Sequence, residues 1–171
     1  MASSTPNSGR YLRGGLAGLM IALMGVNPAH AFNLTILHNN DGESQLLPDE
    51  GEAGADTYVT LINQVKSDLD AAGTPFVTVS SGDNFLASLA YEVSEGDFDA
   101  QVLNAIDYDA IAIGNHDFDF GSQALADFIG QVDAEIPYLS ANLDFTGSPL
   151  EGLVGTRLFS SITVEKGGEQ I

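Results

Sequence analysis

Three short clusters of polar residues each follow an apolar run in this sequence. They are Asp41-Gly42-Glu43, Gly82-Asp83-Asn84 and Gly114-Asn115-His116-Asp117. Neighbouring carboxylates repel one another and resist burial unless a cation neutralises them. The chain has no cysteine, so any metal must be bound by oxygen and nitrogen ligands. These residue types therefore predict a divalent-metal site, provided that the fold brings the three clusters together.

Alternating strand and helix patterns surround the clusters. Runs of β-favouring residues predict four strands, over residues 32–39, 76–80, 110–113 and 138–142. Apolar residues at helical spacing predict three helices: one capped by Asp56 and ended by Gly73, one over Asp97–Ile106, and one that begins near Ser122. The face of the second helix that we expect to be buried carries Phe98, Val102, Leu103 and Ile106.

This order of elements is typical of an α/β fold with a mostly parallel sheet. Right-handed crossovers place successive parallel strands side by side, and parallel strands end at the same edge of their sheet. We therefore expect the three polar clusters to converge at one edge. His38 lies within the first predicted strand and is expected to be a packed, hydrogen-bonded core residue, whereas Asp117 is expected to be a loop carboxylate and not a metal ligand.

The last residues of the chain predict a strand and a turn. Residues 158–164 alternate as a strand does, and Lys166-Gly167-Gly168 is typical of a hairpin turn. The chain then ends at Ile171, where a partner strand would begin. A sheet with an unpaired edge is prone to aggregation, so we interpret residues 32–171 as part of a larger, truncated domain.

The N-terminal residues match the pattern of a secretory signal peptide. Arg10 and Arg13 precede an apolar run over residues 16–26, which ends at Ala29-His30-Ala31. The run is about half the ~20 apolar residues that span a bilayer. The pattern predicts cleavage after Ala31 and a secreted or periplasmic protein without a stable membrane anchor. A permanent N-terminal anchor is the alternative.

The charge of the chain limits its partners. It has 24 acidic and 5 basic residues, for a formal net charge of −19. Such a field repels nucleic acid polymers and anionic membrane surfaces, so neither is an expected partner. An anionic substrate would require bound cations.

Three sequence motifs together resemble the calcineurin-like metallophosphoesterases, and most closely their secreted 5′-nucleotidase and UDP-sugar hydrolase branch. The motifs are ILHNND (36–41), SGDNF (81–85) and GNHDFDFG (114–121). The resemblance covers residues 34–142. It implies a four-layer α/β/β/α domain, two divalent metal ions and hydrolysis of a phosphate ester such as a nucleotide.

The resemblance also implies roles for individual residues. Asp41 would bind the first metal, Asp83 would bridge both metals, and Asn115 would bind the second through its side-chain oxygen. His116 would stand beside the metals and stabilise developing charge or protonate the leaving group. Asp119 would orient the imidazole of His116.

The sequence departs from the family pattern in two places. Glu43 stands where the family has His, and an additional carboxylate favours Mn²⁺, Mg²⁺ or Ca²⁺ over Zn²⁺ if Glu43 is a ligand; the alternative is that Glu43 is a polar loop residue. The family's later His-bearing motifs and its substrate-recognition domain have no counterpart after Asn142. We therefore expect residues 32–171 to have little or no activity alone. A secreted, non-catalytic acidic domain with a degenerate Ca²⁺ site is the alternative function.

Overall fold

The computed structural model of the chain describes residues 31–48, 53–84 and 88–171. The predicted signal peptide, apart from Ala31, and Phe85 of the second motif lie outside the described residues. In the part of the chain that the structure describes, no helix combines the length and the apolar character needed to cross a membrane.

Five parallel strands form the central sheet, in the order in which they occur along the chain. They are β1 (Thr35–Asn39), β2 (Phe76–Ser80), β3 (Ala110–Ala112), β4 (Tyr138–Leu139) and β5 (Leu158–Phe159). Strands β1 and β2 pair along their full length, and each later strand pairs with the one before it. The mostly parallel α/β fold predicted from the sequence is confirmed. This sheet is the only extended one among the described residues.

Four helices connect these strands. Helix α1 (Ala55–Ala71) joins β1 to β2, α2 (Leu89–Ser94) and α3 (Asp97–Ile106) join β2 to β3, and α4 (Gly121–Gln131) joins β3 to β4. Sheet residues Ile111, Tyr138 and Leu158 share one buried cluster with Leu103 of α3 and Leu125 of α4. That cluster is the core, and it holds the helices against one face of the sheet.

Helix α1 differs from its prediction at its first turn. Its N-cap is Gly54, which makes no side-chain capping bond. Asp56 lies inside the first turn, where its carboxylate accepts from the Thr57 backbone N–H at 2.7 Å. The prediction of Asp56 as the cap was therefore wrong by two positions, although an acidic residue is still favourable there because it faces the positive end of the helix dipole.

Two further differences lie between β2 and β3. Helix α2 was not predicted, because six residues with only Ala90 buried give too short a periodic signal. Helix α3 has the predicted bounds, but its buried face is rotated from the expected one. Phe98 is 45% exposed, whereas its neighbour Asp99 is 2% exposed and lies on the same face as Leu103 and Ile106.

The C-terminal residues form a shorter strand than predicted and then a hairpin. Only Leu158 and Phe159 belong to β5, since only they pair with β4. Strands β6 (Glu165–Lys166) and β7 (Glu169–Gln170) form the predicted antiparallel hairpin. Gly167 and Gly168 make its turn with φ of 60° and 83°, a conformation that favours glycine.

Candidate functional site

The loops after β1 and β2 run side by side beyond the end of the sheet. Backbone hydrogen bonds join them in three places: Asp41 N to Gly82 O at 3.2 Å, Glu43 N to Asp83 O at 3.0 Å, and Ser44 N to Asn84 O at 3.1 Å. These bonds continue the pairing of β1 with β2 past the last strand residue. The first two polar clusters of the sequence are therefore adjacent, as predicted.

Several residues of these loops have an uncommon backbone conformation. Asp41, Glu43, Ser44 and Asp83 all have positive φ, between 47° and 53°. Aspartate tolerates this region better than most residues, but for Glu43 and Ser44 it is unusual. Such conformations cost free energy and persist when the surrounding structure imposes them, and they cluster at functional sites. Here the hydrogen bonds between the two loops impose them.

The loop after β3 approaches the loop after β2 so closely that two glycines are required. A Cβ atom added to Gly82 would lie 2.3 Å from the backbone nitrogen of Gly114, and one added to Gly114 would lie 2.2 Å from Oδ1 of Asp83. Gly82 also has a φ of 93°, which side chains rarely allow. The glycines of the second and third clusters therefore permit the contact that brings Asp83 beside the third loop.

Asp83 is the predicted site residue that joins these loops most directly. Its side chain is 8% exposed, and its Oδ1 accepts a hydrogen bond from the His116 backbone N–H at 2.6 Å. This bond fixes the carboxylate at the start of the short 3₁₀ turn His116–Phe118. A buried carboxylate held by one amide retains lone pairs for another ligand.

Asp117 acts as a clasp between the second and third loops, a role that the sequence analysis did not assign. It is 2% exposed, and Oδ2 accepts from the backbone N–H of Gly114 at 2.8 Å and of Asp83 at 3.2 Å. Oδ1 accepts from Asn84 N at 3.4 Å. Burial raises the pKa of Asp117, while the amides of Gly114 and Asp83 oppose that rise. The prediction that Asp117 is a loop carboxylate fits this position.

His116 and Asp119 form a pair on the surface of the site. Nδ1 of His116 lies 2.9 Å from Oδ2 of Asp119, and their side chains are 42% and 41% exposed. The hydrogen bond with Asp119 raises the pKa of His116, and the negative charges of Asp83 and Glu43 act in the same direction. The imidazole is therefore biased toward its protonated form at the point where the first two loops meet the third.

The remaining predicted residues lie at the outer edge of the site. Asp41 and Asn115 are exposed and Glu43 is partly exposed. Asp41 accepts a hydrogen bond from the side-chain amide of Asn40. His38 is exposed, with Nε2 2.9 Å from Ser81 Oγ. The expectation that His38 is hydrogen-bonded is confirmed, and the expectation that it is a core residue is wrong.

The donor atoms at this edge suit a hard divalent cation in kind, although they are few. Asp41, Glu43, Asp83 and Asn115 offer carboxylate and amide oxygens. Within the described residues no group of three or more His, Asp or Glu side chains is close enough to hold a metal ion. These oxygens could supply only part of a coordination sphere, and Asp83 is the buried member of the set.

The basic side chains of the described residues are all bonded elsewhere. Lys66 Nζ donates to the carbonyl oxygens of Ile106 and Asp107, at 2.6 and 3.0 Å. Arg157 donates to the carbonyls of residues 132 and 133, and Lys166 pairs with Asp109 at 2.7 Å. The carboxylates of the candidate site therefore have no Lys or Arg counter-charge within the described part of the chain.

The curated proteins that this chain resembles are nucleotidases. It is 33% identical over 129 residues to a 5′-nucleotidase of Vibrio cholerae, which is 75% of this chain and 22% of that protein. It is 32% identical over 150 residues to a probable 5′-nucleotidase of Treponema pallidum, which is 82% of this chain and 24% of that protein. This chain belongs to the 5′-nucleotidase branch of the metallophosphoesterases. No protein-family model matches it.

Solved structures of this branch share the fold. The 5′-nucleotidase precursor of Thermus thermophilus matches with a TM-score of 0.66 and 29% identity, over 80% of this chain and 27% of that chain. The NAD nucleotidase of Haemophilus influenzae matches with a TM-score of 0.67 and 25% identity, over 80% and 25%. The chain thus spans about a quarter of the length of the relatives that it matches.

Proposed function

We propose that this chain forms part of the catalytic domain of a secreted, metal-dependent hydrolase of nucleotide phosphate esters. One observation carries the proposal: the loops after β1, β2 and β3 interlock at one sheet edge, with the buried Asp83 bonded to the backbone of His116 and the imidazole of His116 bonded to Asp119. The names of the relatives support nucleotides as the substrate class. Residues 32–171 would then be the N-terminal part of the domain, preceded by a signal peptide over residues 1–31.

Divalent cations are proposed because no Lys or Arg of the described residues neutralises the carboxylates of the site. Asp41, Glu43, Asp83 and Asn115 would hold two such ions, with Glu43 favouring Mn²⁺, Mg²⁺ or Ca²⁺ over Zn²⁺. When bound, such ions neutralise phosphate oxygens and lower the pKa of a coordinated water molecule. A phosphate approaching this acidic surface would otherwise find no Lys or Arg side chain to bind it, since the basic side chains of the described residues are engaged elsewhere.

His116 is proposed as the general acid or charge-stabilising group beside the metals. Asp119 accepts from Nδ1, so Nε2 is left to face a leaving oxygen. The same hydrogen bond raises the pKa of His116 and so favours the protonated imidazole that a general acid requires. Asp83 fixes the backbone of His116 and thereby the position of the ring relative to the metal-binding loops.

The test is an assay of the native protein, purified from the exported fraction of its source. Intact mass shows first whether the native protein extends beyond residue 171. We expect nucleoside monophosphates and p-nitrophenyl phosphate to be hydrolysed with Mn²⁺ and not with chelator. His116→Ala should lower kcat by about 10²- to 10⁴-fold, the contribution typical of general acid catalysis.

His38→Ala is the matched control, because His38 is the other histidine of the described residues and its ring bonds only to Ser81 among the contacts seen. Its activity should equal that of the wild type. Full activity of His116→Ala would contradict the proposed mechanism. Stabilisation by Ca²⁺ without turnover in any metal would instead favour the non-catalytic Ca²⁺-binding alternative.

A further inference from the structure

A cavity of about 220 Å³ lies between the loop after β1 and helices α1 and α3. Its lining includes Gly42 and Asn84, which belong to the loops that carry Asp41 and Asp83, and Asp99 of α3. Leu46, Leu103 and Ile106 supply apolar walls. The cavity is therefore next to the candidate metal site but is built from different side chains.

Two side chains in this cavity have polar atoms without a hydrogen bond of normal geometry to the described residues: both carboxylate oxygens of Asp99 and Nδ2 of Asn84. Asp99 is 2% exposed, and neither of its carboxylate oxygens makes a hydrogen bond of normal geometry within the described part of the chain, although the Ser44 hydroxyl is close enough to lower its pKa, against the rise that burial causes. Asn84 is 6% exposed; its Oδ1 accepts from Ser80 Oγ at 3.1 Å, but its Nδ2 is unbonded. Buried polar groups are normally satisfied, so these two side chains require partner atoms inside the cavity, supplied by water or by a ligand.

The charge of Asp99 determines which kind of partner it needs, namely a hydrogen-bond donor. Burial raises the pKa of Asp99 to about 6, and the nearby Ser44 hydroxyl opposes the rise. The carboxylate is therefore still mainly ionised at pH 7. The basic residues Lys66, Arg157 and Lys166 are all bonded elsewhere, so no described Lys or Arg side chain neutralises this carboxylate. N–H groups of a bound ligand would stabilise the Asp99 carboxylate by donating hydrogen bonds to it.

Two tyrosines, Tyr58 and Tyr108, also line the cavity, and their hydroxyls interact with each other. Tyr108 donates to Asn39 Oδ1 at 2.9 Å, so this part of the wall offers mainly ring surface. The site then presents acceptors at Asp99, one donor at Asn84, the amide of the exposed Gln45, and apolar and aromatic surface between the surrounding elements. A cavity of ~150 Å³ accommodates benzene, so the volume here is sufficient for a small heterocycle.

We propose that this cavity binds a planar, amino-substituted nitrogen heterocycle, the class to which adenine and cytosine belong. The exocyclic amine would donate to Asp99, the neighbouring ring nitrogen would accept from Asn84 Nδ2, and the ring would lie against the apolar walls. The proposal stands on the cavity alone and does not require that the chain hydrolyse phosphate esters.

The experiment is isothermal titration of the full chain with adenine and cytosine in the presence of EDTA. Chelator prevents any contribution from the candidate metal site, so the result is independent of the proposed catalysis. Purine, which has the ring nitrogens of adenine without its amine, is the comparison. We expect purine to bind about tenfold more weakly or not at all, because a hydrogen bond to a charged group is lost.

Asp99→Leu tests the same contact from the side of the protein. It should abolish adenine binding and leave the melting temperature equal or higher, since an unpartnered buried carboxylate is replaced by an apolar group. Asp97→Asn, an exposed acidic residue of the same helix turn, should bind adenine as the wild type does.

Equal binding of adenine and purine would overturn the proposal, as would the absence of adenine and cytosine binding. The comparison of adenine with purine uses the wild-type chain, so it decides the matter even if Asp99→Leu does not fold. Water filling the cavity would appear as no heat with either base.

Discussion

Aspartates at the two ends of the parallel sheet differ in whether a basic side chain pairs with them. At the amino end, Asp109 accepts from the Thr78 backbone N–H at 2.8 Å and pairs with Lys166 at 2.7 Å. At the carboxyl end, Asp83 also accepts a backbone N–H, from His116, but no described Lys or Arg pairs with it. The protein supplies a basic partner at one end and, among the described residues, none at the other, where we propose that a divalent cation binds.

The placement of the remaining basic residues follows the same division. Lys66 donates to the carbonyls at the end of α3, and Arg157 donates to those just after α4. Cations are favourable at helix C-termini because of the helix dipole. In a chain of net charge −19, the basic side chains of the described residues thus stabilise the scaffold and are not available to bind a substrate.

The largest effect that would test this contrast is expected from the tight contact at the carboxyl end. Gly114→Ala places a Cβ 2.2 Å from Oδ1 of Asp83, so the loops must separate. We expect a loss of about 3 kcal/mol in the free energy of unfolding, the upper part of the range for overpacking. Urea denaturation measures it.

Gly130→Ala is the control for that substitution, because nothing lies within 4 Å of the added atom. Gly130 is inside α4, where alanine has the higher helix propensity, so this variant should be more stable by about 0.5–1 kcal/mol. Equal stability of the two variants would contradict the close packing of the loops described above.

The second effect is expected at the clasp. Asp117→Asn keeps the shape of the side chain but turns one acceptor into a donor that faces backbone N–H groups. We expect a loss of about 2 kcal/mol in the free energy of unfolding. Asp127→Asn, an exposed carboxylate on α4, should be nearly neutral under the same denaturation. A neutral Asp117→Asn would show that Asp117 does not hold the loops.

A smaller effect is expected at the amino end of the sheet. Lys166→Met removes the ion pair with Asp109 and the contact of Nζ with the Phe76 ring, 5.5 Å from its centroid. Both groups of the pair are partly exposed, so we expect a loss of about 1 kcal/mol or less. If Lys166→Met lowered the melting temperature more than Asp117→Asn does, the amino end of the sheet would contribute more to stability than the carboxyl end, contrary to our expectation.

The smallest effect concerns the pH response of the exposed His116–Asp119 pair. Because the hydrogen bond with Asp119 raises the pKa of His116, the protonated ring should persist above its usual range. Any stability that the pair adds is present below the ordinary histidine pKa and is lost as pH rises through the raised value. NMR titration should show a lower His116 pKa in Asp119→Asn; an unchanged value would contradict the pairing.

The sheet and its long elements could be predicted because their signals are local. The run Phe76–Ser80 and the helix Asp97–Ile106 have the bounds that the sequence indicated. The shorter features depend on tertiary contacts. Helix α2 has too few buried residues to give a period, and β5 ends at Phe159 because β4 offers it only two partners.

The candidate site was predictable where glycine and polar residues end a strand, and not where a residue acts through the backbone. The convergence of the Asp41, Asp83 and His116 loops followed from strand order. The clasp role of Asp117 depends on amides of two loops, which spacing does not indicate. The burial of Asp99 was not predicted, because the chain has many carboxylates and most are exposed. Its position four residues before the buried Leu103 places it on the same helix face, and this spacing could have indicated its burial.

Calorimetric titration of the chelator-treated native protein with Mn²⁺ measures whether the carboxylates at the carboxyl end of the sheet bind a divalent cation. We expect saturable binding and a higher melting temperature, both weakened in a variant that combines Asp41→Asn with Glu43→Gln. Asp68→Asn, on the exposed face of α1, should bind Mn²⁺ as the wild type does. Absence of binding by the native protein, or equal binding by the double variant, would contradict the proposal that these carboxylates bind a divalent cation.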